Sequence, residues 1–132
     1  MPEIDLQDLI GKPFTDGGRG PDTYDCWGLV AEVFRRYGTE LQDYKLCCHD
    51  YKGFYKLFIA DITTRKRWEY SNIPIPAVVA IRFNKPFVNH VGVYIGEFKF
   101  LHTREKTGVV IERIDSVLWK SKIEGFYTPL SF

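Results

Sequence analysis

The chain has 132 residues, a length typical of one domain, and hydrophobic residues make up 45% of it. A core of that size can form without disulfides. Its 18 Lys and Arg offset 17 Asp and Glu to a net charge of +1, which excludes the broad basic surface that nucleic acids and anionic lipids require. Apolar runs are too short for a membrane span. We therefore predict a single domain over residues 1–132, with no nucleic-acid partner.

The first half of the chain predicts helices. Apolar residues recur at helical spacing from Cys26 to Tyr37. Asp25 is placed to cap the start of this helix, and Gly38 follows its end, where a left-handed residue is common. Two further helices are predicted at 6–10 and 51–60.

Beyond Pro76 the pattern changes to β. Five short segments rich in branched and aromatic residues are separated by Gly, Pro or Asn: 77–83, 90–95, 98–103, 109–114 and 123–128. Helices followed by a run of strands predict the α+β class, with N-terminal helices packed on a C-terminal antiparallel sheet of about five strands.

Cys26 is the candidate nucleophile. It stands at a predicted helix start, where the helix dipole lowers a thiol pKa from about 8.5, and the amides of the first turn could stabilise an oxyanion. The alternative is a buried structural cysteine, the common role of a lone cysteine. Cys47 and Cys48 lack a helix start, and with His49 they would form three consecutive ligands, which fit tetrahedral zinc badly. We predict no metal and no other cofactor.

A thiol nucleophile needs a base, and histidine is the usual one. His90 begins one predicted strand and His102 lies in the next. If the hairpin loop is Gly96-Glu97-Phe98, Gly92 lies opposite His102 and both histidines share a face, whereas a two-residue loop would separate them. We predict that His90 is the base and that His102 orients it. A hydrogen-bonded core histidine is the alternative for His102.

Four segments, in this order and spacing, resemble the NlpC-type cell-wall peptidase family across about residues 12 to 104: Gly17-Gly18-Arg19-Gly20-Pro21, Tyr24-Asp25-Cys26-Trp27-Gly28-Leu29-Val30, Asn89-His90-Val91-Gly92-Val93-Tyr94-Ile95-Gly96 and Leu101-His102. The resemblance implies a papain-like fold. It also implies that Cys26 is the nucleophile, His90 the base and His102 the third polar residue of a triad. Tyr24 would help to build the oxyanion site.

The resemblance also implies a substrate and a setting. Family members hydrolyse peptide-stem bonds of bacterial peptidoglycan through an acyl-enzyme. Trp27 and the run Gly18-Arg19-Gly20-Pro21 look more like the members found among phage tail proteins. We therefore place Asp25, Trp27 and Arg19 with Tyr24 around the oxyanion and substrate site. The N-terminus has no signal-peptide pattern, so we expect synthesis in the cytoplasm and carriage by a virion or another delivery machine.

Two other functions stay open from the sequence. The chain could be a structural or binding component that keeps the fold without turnover, such as a part of a phage tail. It could also perform the same acyl-enzyme chemistry as an acyltransferase or an amidase on another substrate.

Overall fold

The computed structural model describes residues 4–43, 70–83 and 86–128. Its regular elements are two α-helices and five strands: α1 (Cys26–Arg36), β1 (Ala77–Ile81), β2 (His90–Gly96), β3 (Lys99–Arg104), β4 (Gly108–Arg113), α2 (Val117–Lys120) and β5 (Ile123–Tyr127). All strand pairs are antiparallel, in the order β4-β3-β2-β1-β5. The predicted α+β class and five-stranded sheet are confirmed, with strand limits that differ from the predicted ones by one or two residues.

Both ends of α1 are closed by local hydrogen bonds. Asp25 caps the start through its side chain. At the other end Gly38 has a φ of +96°; its amide donates to the Arg35 carbonyl and the Thr39 amide donates to the Phe34 carbonyl. This is the paired pattern of a left-handed glycine end. The predicted cap and stop residues of the helix are thus confirmed. None of the helices among the described residues is long and apolar enough to cross a membrane.

The opening segment is shorter than predicted. Instead of a helix over 6–10, Gln7–Leu9 form one 3-10 turn. Arg36, near the end of α1, donates to both carboxylate oxygens of Asp8 at 2.6 and 2.8 Å and to Glu32 at 2.8 Å. Gly11 and Pro13 follow directly and interrupt a helix, so the segment is too short to form more than one turn.

The sheet buries both of its faces. One face carries α1, and its cluster includes Val30, Val33, Val91 and Leu101. The other face carries the short helix α2. Its Trp119 belongs to a second cluster, formed by the strand residues that point to this face, among them Val79, Ile81 and Phe100. Because side chains alternate along a strand, nearly every position of β1 and β2 is buried. Strands β1 and β2 are therefore covered on both faces.

The β2–β3 hairpin differs from its prediction in one respect. Its loop has two residues, Glu97 and Phe98, with φ of 55° and 61°, values of a type I′ turn. Of the two loop lengths left open by the sequence, the structure has the two-residue one. A β-bulge at Ile95 restores the register, because Tyr94 pairs with Phe100 while Gly96 pairs with Lys99. The turn lacks the Asn-Gly or Asp-Gly signal of its type, so the sequence alone did not decide between the two loops.

Several predictions lie outside the described residues. These are the helix at 51–60 and the region of Cys47, Cys48 and His49.

The glycine-rich loop meets α1 at a distance that only glycine allows. A Cβ added at Gly28, in the first turn of α1, would lie 2.1 Å from the Gly18 carbonyl oxygen. A Cβ added at Gly18 would lie 2.9 Å from the Thr15 carbonyl oxygen. Since these obstacles are backbone atoms, rotation of a side chain cannot relieve them.

Substituting Gly28→Ala tests this contact. Alanine normally stabilises a helix relative to glycine by about 1 kcal/mol. Here we expect the opposite sign, a loss of about 1–3 kcal/mol in the free energy of unfolding, because the new methyl group overpacks the loop. Urea denaturation of the two proteins measures the difference. A stabilised variant would show that the loop can move away at no cost.

Candidate active site

The start of α1 presents Cys26 at its first position. The Asp25 side chain accepts a hydrogen bond from the Gly28 amide at 2.7 Å, so one of the helix's unpaired donors is satisfied. Cys26 itself is buried and belongs to the cluster under α1. The remaining first-turn amides and the helix dipole place partial positive charge beside its sulfur.

A clasp of hydrogen bonds joins the glycine-rich loop to this helix start. Asp25 Oδ1 also accepts from Arg19 Nη1 at 2.7 Å, and Asp25 Oδ2 accepts from the Gly17 amide at 3.1 Å. The Asp25 amide donates to the Gly18 carbonyl at 3.1 Å, and Arg19 Nε donates to Asp43 at 2.7 Å. We call this set of residues, Gly17, Gly18, Arg19, Asp25 and Asp43, the loop clasp. It supplies a buried carboxylate with a counter-charge.

His90 and His102 are brought together on the sheet. His90 Nε2 lies 3.1 Å from His102 Nδ1, which confirms the predicted contact. Gly92 makes room for it: a Cβ there would lie 2.7 Å from the Leu101 carbonyl oxygen and 3.2 Å from the His102 Cβ. The predicted shared face is thus correct, although the bulge rather than a longer loop produces it.

The histidines lie in apolar surroundings. His102 is fully buried; its ring centroid is 4.7 Å from that of Trp119 and 5.2 Å from that of Phe100. His90 is also buried, and its nearest aromatic neighbour besides His102 is Phe83, at 6.2 Å. Contacts of this kind fix the planes of both rings.

Burial lowers the pKa of both imidazoles. Burial, together with His102 and the positive Arg104, holds the pKa of His90 well below 6.5. Burial lowers the pKa of His102 to about 4, and the hydrogen bond that His102 donates to Glu112 opposes this shift. Both rings are therefore neutral near pH 7, and each carries one proton and one lone pair.

Glu112 is a neighbour of the histidines that the sequence prediction missed. Its Oε2 lies 3.4 Å from His102 Nε2. Glu112 pairs with Phe100 across β3 and β4, which puts its side chain on the histidine face. Glu112 could have been predicted only from the register of β3 against β4, since no local sequence motif distinguishes this glutamate from the others.

Cys26 and His90 lie at the same end of the structure. Tyr37, at the end of α1, and Ile95 and Gly96, at the end of β2, line one surface cavity. Helix α1 packs on β2 and β3, so its first residue, Cys26, lies towards the opposite end of β2, where His90 begins the strand. His90 pairs with Ile81 and contacts His102, so its side chain faces the side of the sheet away from α1.

The other predicted site residues lie mostly inside the protein. Trp27 is fully buried, and its Nε1 donates to the Gln42 carbonyl at 3.1 Å. Tyr24 is buried with its ring against Gly20, where a Cβ would lie 2.6 Å from the Tyr24 hydroxyl. Both carboxylate oxygens of Asp25 have partners within the chain, and Arg19 is the most exposed of the four, at 26% of its side chain. These contacts are structural, and any contact with substrate stays a prediction.

No group of three or more His, Cys, Asp or Glu side chains that could hold a metal ion occurs in the part of the chain that the structure describes. The described site offers instead a thiol, two neutral imidazoles and a carboxylate. Such a set supports nucleophilic and acid–base chemistry.

Comparison of the sequence with models of known protein families assigns the family of this chain. The model described as the NlpC/P60 family matches residues 11–128, most of the chain. The chain belongs to the NlpC/P60 family. The match includes Cys26, both histidines and the loop clasp, and it confirms the NlpC-type resemblance.

Relatives in Listeria share this domain. The chain is 28% identical over 117 residues to "Probable endopeptidase p60" of Listeria grayi, covering 89% of this chain and 20% of that relative. It is 25% identical over 122 residues to the protein of the same name in Listeria innocua, covering 92% of this chain and 23% of that relative. This chain therefore spans about a fifth of the length of these relatives.

Solved structures share the fold. An NLP/P60 family protein similar to lipoprotein, from Staphylococcus aureus, matches with a TM-score of 0.61 at 19% identity, covering 94% of this chain and 38% of that one. NlpC1 from Trichomonas vaginalis matches with a TM-score of 0.66 at 19% identity, covering 92% and 40%. The papain-like NlpC/P60 fold is thus confirmed for this chain.

Substitutions of Asp25 in this NlpC/P60 domain test the loop clasp. Asp25→Ala removes the helix cap and leaves Arg19 facing a buried gap, so we expect the free energy of unfolding to fall by about 2 kcal/mol or more. Asp25→Asn keeps an acceptor for Gly28 and should cost less. Urea denaturation measures both losses. Equal losses for Ala and Asn would contradict a capping role.

The buried histidines predict a pH-dependent stability. Unfolded histidine titrates near pH 6.5, above the folded pKa of His102 at about 4. Between these values the unfolded chain binds more protons, so stability rises with pH and is lost as the pH falls, by about 1.4 kcal/mol per pH unit for this group.

Urea denaturation of the wild type and His102→Gln at about pH 7 and pH 5 checks this. We expect the loss on acidification to be smaller in the variant by about 1–2 kcal/mol. The same loss in both proteins would place the acid sensitivity elsewhere.

Proposed function

We propose that this domain is a cysteine peptidase that hydrolyses peptide-stem bonds of bacterial peptidoglycan. The observation that carries the proposal is the contact of 3.1 Å between His90 Nε2 and His102 Nδ1. It occupies one ring nitrogen of His90 and leaves Nδ1 as the nitrogen that can act on a thiol. His90 is neutral and lies at the start of β2, towards the capped start of α1, so its ring has a lone pair with which to act as general base.

The reaction then proceeds in two halves. Cys26 Sγ attacks the scissile carbonyl carbon while His90 Nδ1 takes the thiol proton, and the first-turn amides of α1 stabilise the oxyanion. The C–N bond breaks, the leaving amine takes the proton from His90, and a thioester remains on Cys26. Water, deprotonated by His90, then attacks the thioester and releases the carboxylic acid and the free thiol.

The choice of substrate is supported by the family. The Listeria relatives carry the name "Probable endopeptidase p60", and the NlpC-type motifs of this chain resemble those of cell-wall peptidases. We propose the peptide stem as the binding partner on this basis. Carriage by a phage tail or another delivery machine is a further proposal, which rests on Trp27 and the run Gly18-Arg19-Gly20-Pro21 alone.

Purified peptidoglycan and Cys26→Ser test the activity. We expect the wild type to release muropeptide fragments, identified by mass spectrometry, and the variant to lose at least about a hundredfold in rate, because a hydroxyl is a far weaker nucleophile at this pH. Cys47→Ser and Cys48→Ser are the matched controls, and each should retain the wild-type rate. Urea denaturation verifies that the variants fold.

The outcomes separate the competing functions. Full activity in Cys26→Ser would overturn the mechanism. A folded wild type without hydrolysis of any wall peptide would favour a structural or binding component. Products joined to an added amine would indicate an acyltransferase, since the acyl-enzyme would then be resolved by the amine and not by water.

A further inference from the structure

Three polar groups on the histidine face form a continuous chain. Glu112 Oε2 lies 3.4 Å from His102 Nε2, and His102 Nδ1 lies 3.1 Å from His90 Nε2. Hydrogen bonds at catalytic sites are often this long in the absence of substrate. The chain runs from the partly exposed carboxylate, with 30% of its side chain accessible, to the buried His90.

The carboxylate gives this chain a direction. A carboxylate can only accept, so the proton of neutral His102 belongs on Nε2, facing Glu112. His102 Nδ1 is then a lone pair and must accept from His90 Nε2. The lone pair of His90 is therefore on Nδ1, the nitrogen that the proposed reaction uses.

The opposite direction is unfavourable at both contacts. With the proton of His102 on Nδ1, the lone pair of Nε2 would face the Glu112 carboxylate across 3.4 Å, two acceptors with no proton between them. His90 would have to accept through Nε2 and would carry its proton on Nδ1. In that form the ring could not take a proton from Cys26. A doubly protonated His102 is opposed by burial and by the positive charge of Arg104.

The position of the His102 ring does not depend on Glu112. Trp119 and Phe100 pack on that ring, with centroids at 4.7 and 5.2 Å. Gly92 provides the space beside it. Loss of the carboxylate should therefore change which nitrogen holds the proton while the ring stays in place.

We propose that Glu112 is a positioning residue that acts through His102 to keep the His90 lone pair on Nδ1. It touches neither the substrate nor the thiol. The inference rests on the proposed peptidase function and adds to it a fourth member that sets the proton positions of the triad.

The direct test reads the tautomers. Proteins labelled with 15N at histidine are compared by long-range proton–nitrogen correlation near pH 7, which separates protonated from unprotonated ring nitrogens without any substrate. In the wild type we expect the proton on Nε2 of both His90 and His102. In Glu112→Met, which keeps the size of the side chain but has no acceptor, we expect His102 to populate the Nδ1 form. His90→Gln and His102→Gln assign the signals.

Hydrolysis of peptidoglycan gives the second readout. We expect Glu112→Met to lose about tenfold or more in kcat/KM, since a base in the wrong tautomer cannot act. Glu112→Gln can still accept through its amide oxygen and should lose less than about threefold. Glu97→Met is the matched control: it removes an exposed carboxylate from the hairpin turn and should leave both readouts unchanged.

Two results would overturn the inference. One is a wild type with the His102 proton on Nδ1; the other is Glu112→Met with wild-type tautomers and rate. A purely structural role would lower stability in the Met and Gln variants without moving the tautomers. If the wild type has the expected tautomers but hydrolyses nothing, the peptidase proposal fails while the hydrogen-bond chain stands.

Discussion

The candidate site depends on the hydrogen bonds that the buried carboxylate of Asp25 accepts. It is almost completely buried, and it accepts hydrogen bonds from the first turn of α1, from Arg19 and from the glycine-rich loop. A buried charge is tolerated only when it is paired and hydrogen-bonded. The loop must therefore fold tightly against the helix, which explains why Gly18 and Gly28 approach to a distance that leaves no room for a side chain. Because Cys26 follows Asp25 directly, these hydrogen bonds also fix the position of Cys26.

The two halves of the site are built by different forces. The helix start is organised by charge and by hydrogen bonds among residues close in sequence. The histidine half is organised by the pairing of β2, β3 and β4 and by aromatic packing around His102. The first half places positive potential beside a thiol, while the second keeps its imidazoles neutral.

The local half of the site could be predicted from the sequence, and the non-local half only in part. Asp25, Cys26 and Gly38 carry their roles in short-range signals, namely a cap, a helix start and a left-handed stop. The contact of His90 with His102 was predicted from strand alternation, but through a loop that the structure does not have. Glu112 could not be found, because its approach depends on how a third strand pairs, and no residue pattern within β4 specifies that register.

The burial of Trp27 shows a further limit of motif reading. A position next to a candidate nucleophile suggests contact with substrate, yet the Trp27 side chain is fully buried and donates a hydrogen bond to the Gln42 carbonyl. Helical periodicity contains that information, since the apolar residues Val30 and Phe34 follow Trp27 at i+3 and i+7 and so share its face of α1. The motif predicts contact with substrate and the helical periodicity predicts burial, and the structure agrees with the periodicity.

The bulge at Ile95 has a consequence for how such domains vary. His90 and His102 are twelve positions apart, and one of the intervening residues is the extra residue of the bulge. A homologous hairpin with the same turn but no bulge would bring its two histidines into the same contact with a separation one residue shorter. A one-residue insertion or deletion in this hairpin therefore keeps the histidine contact only if the bulge is gained or lost with it. Alignments that fix the separation between the two histidines would misplace the second one in such homologues.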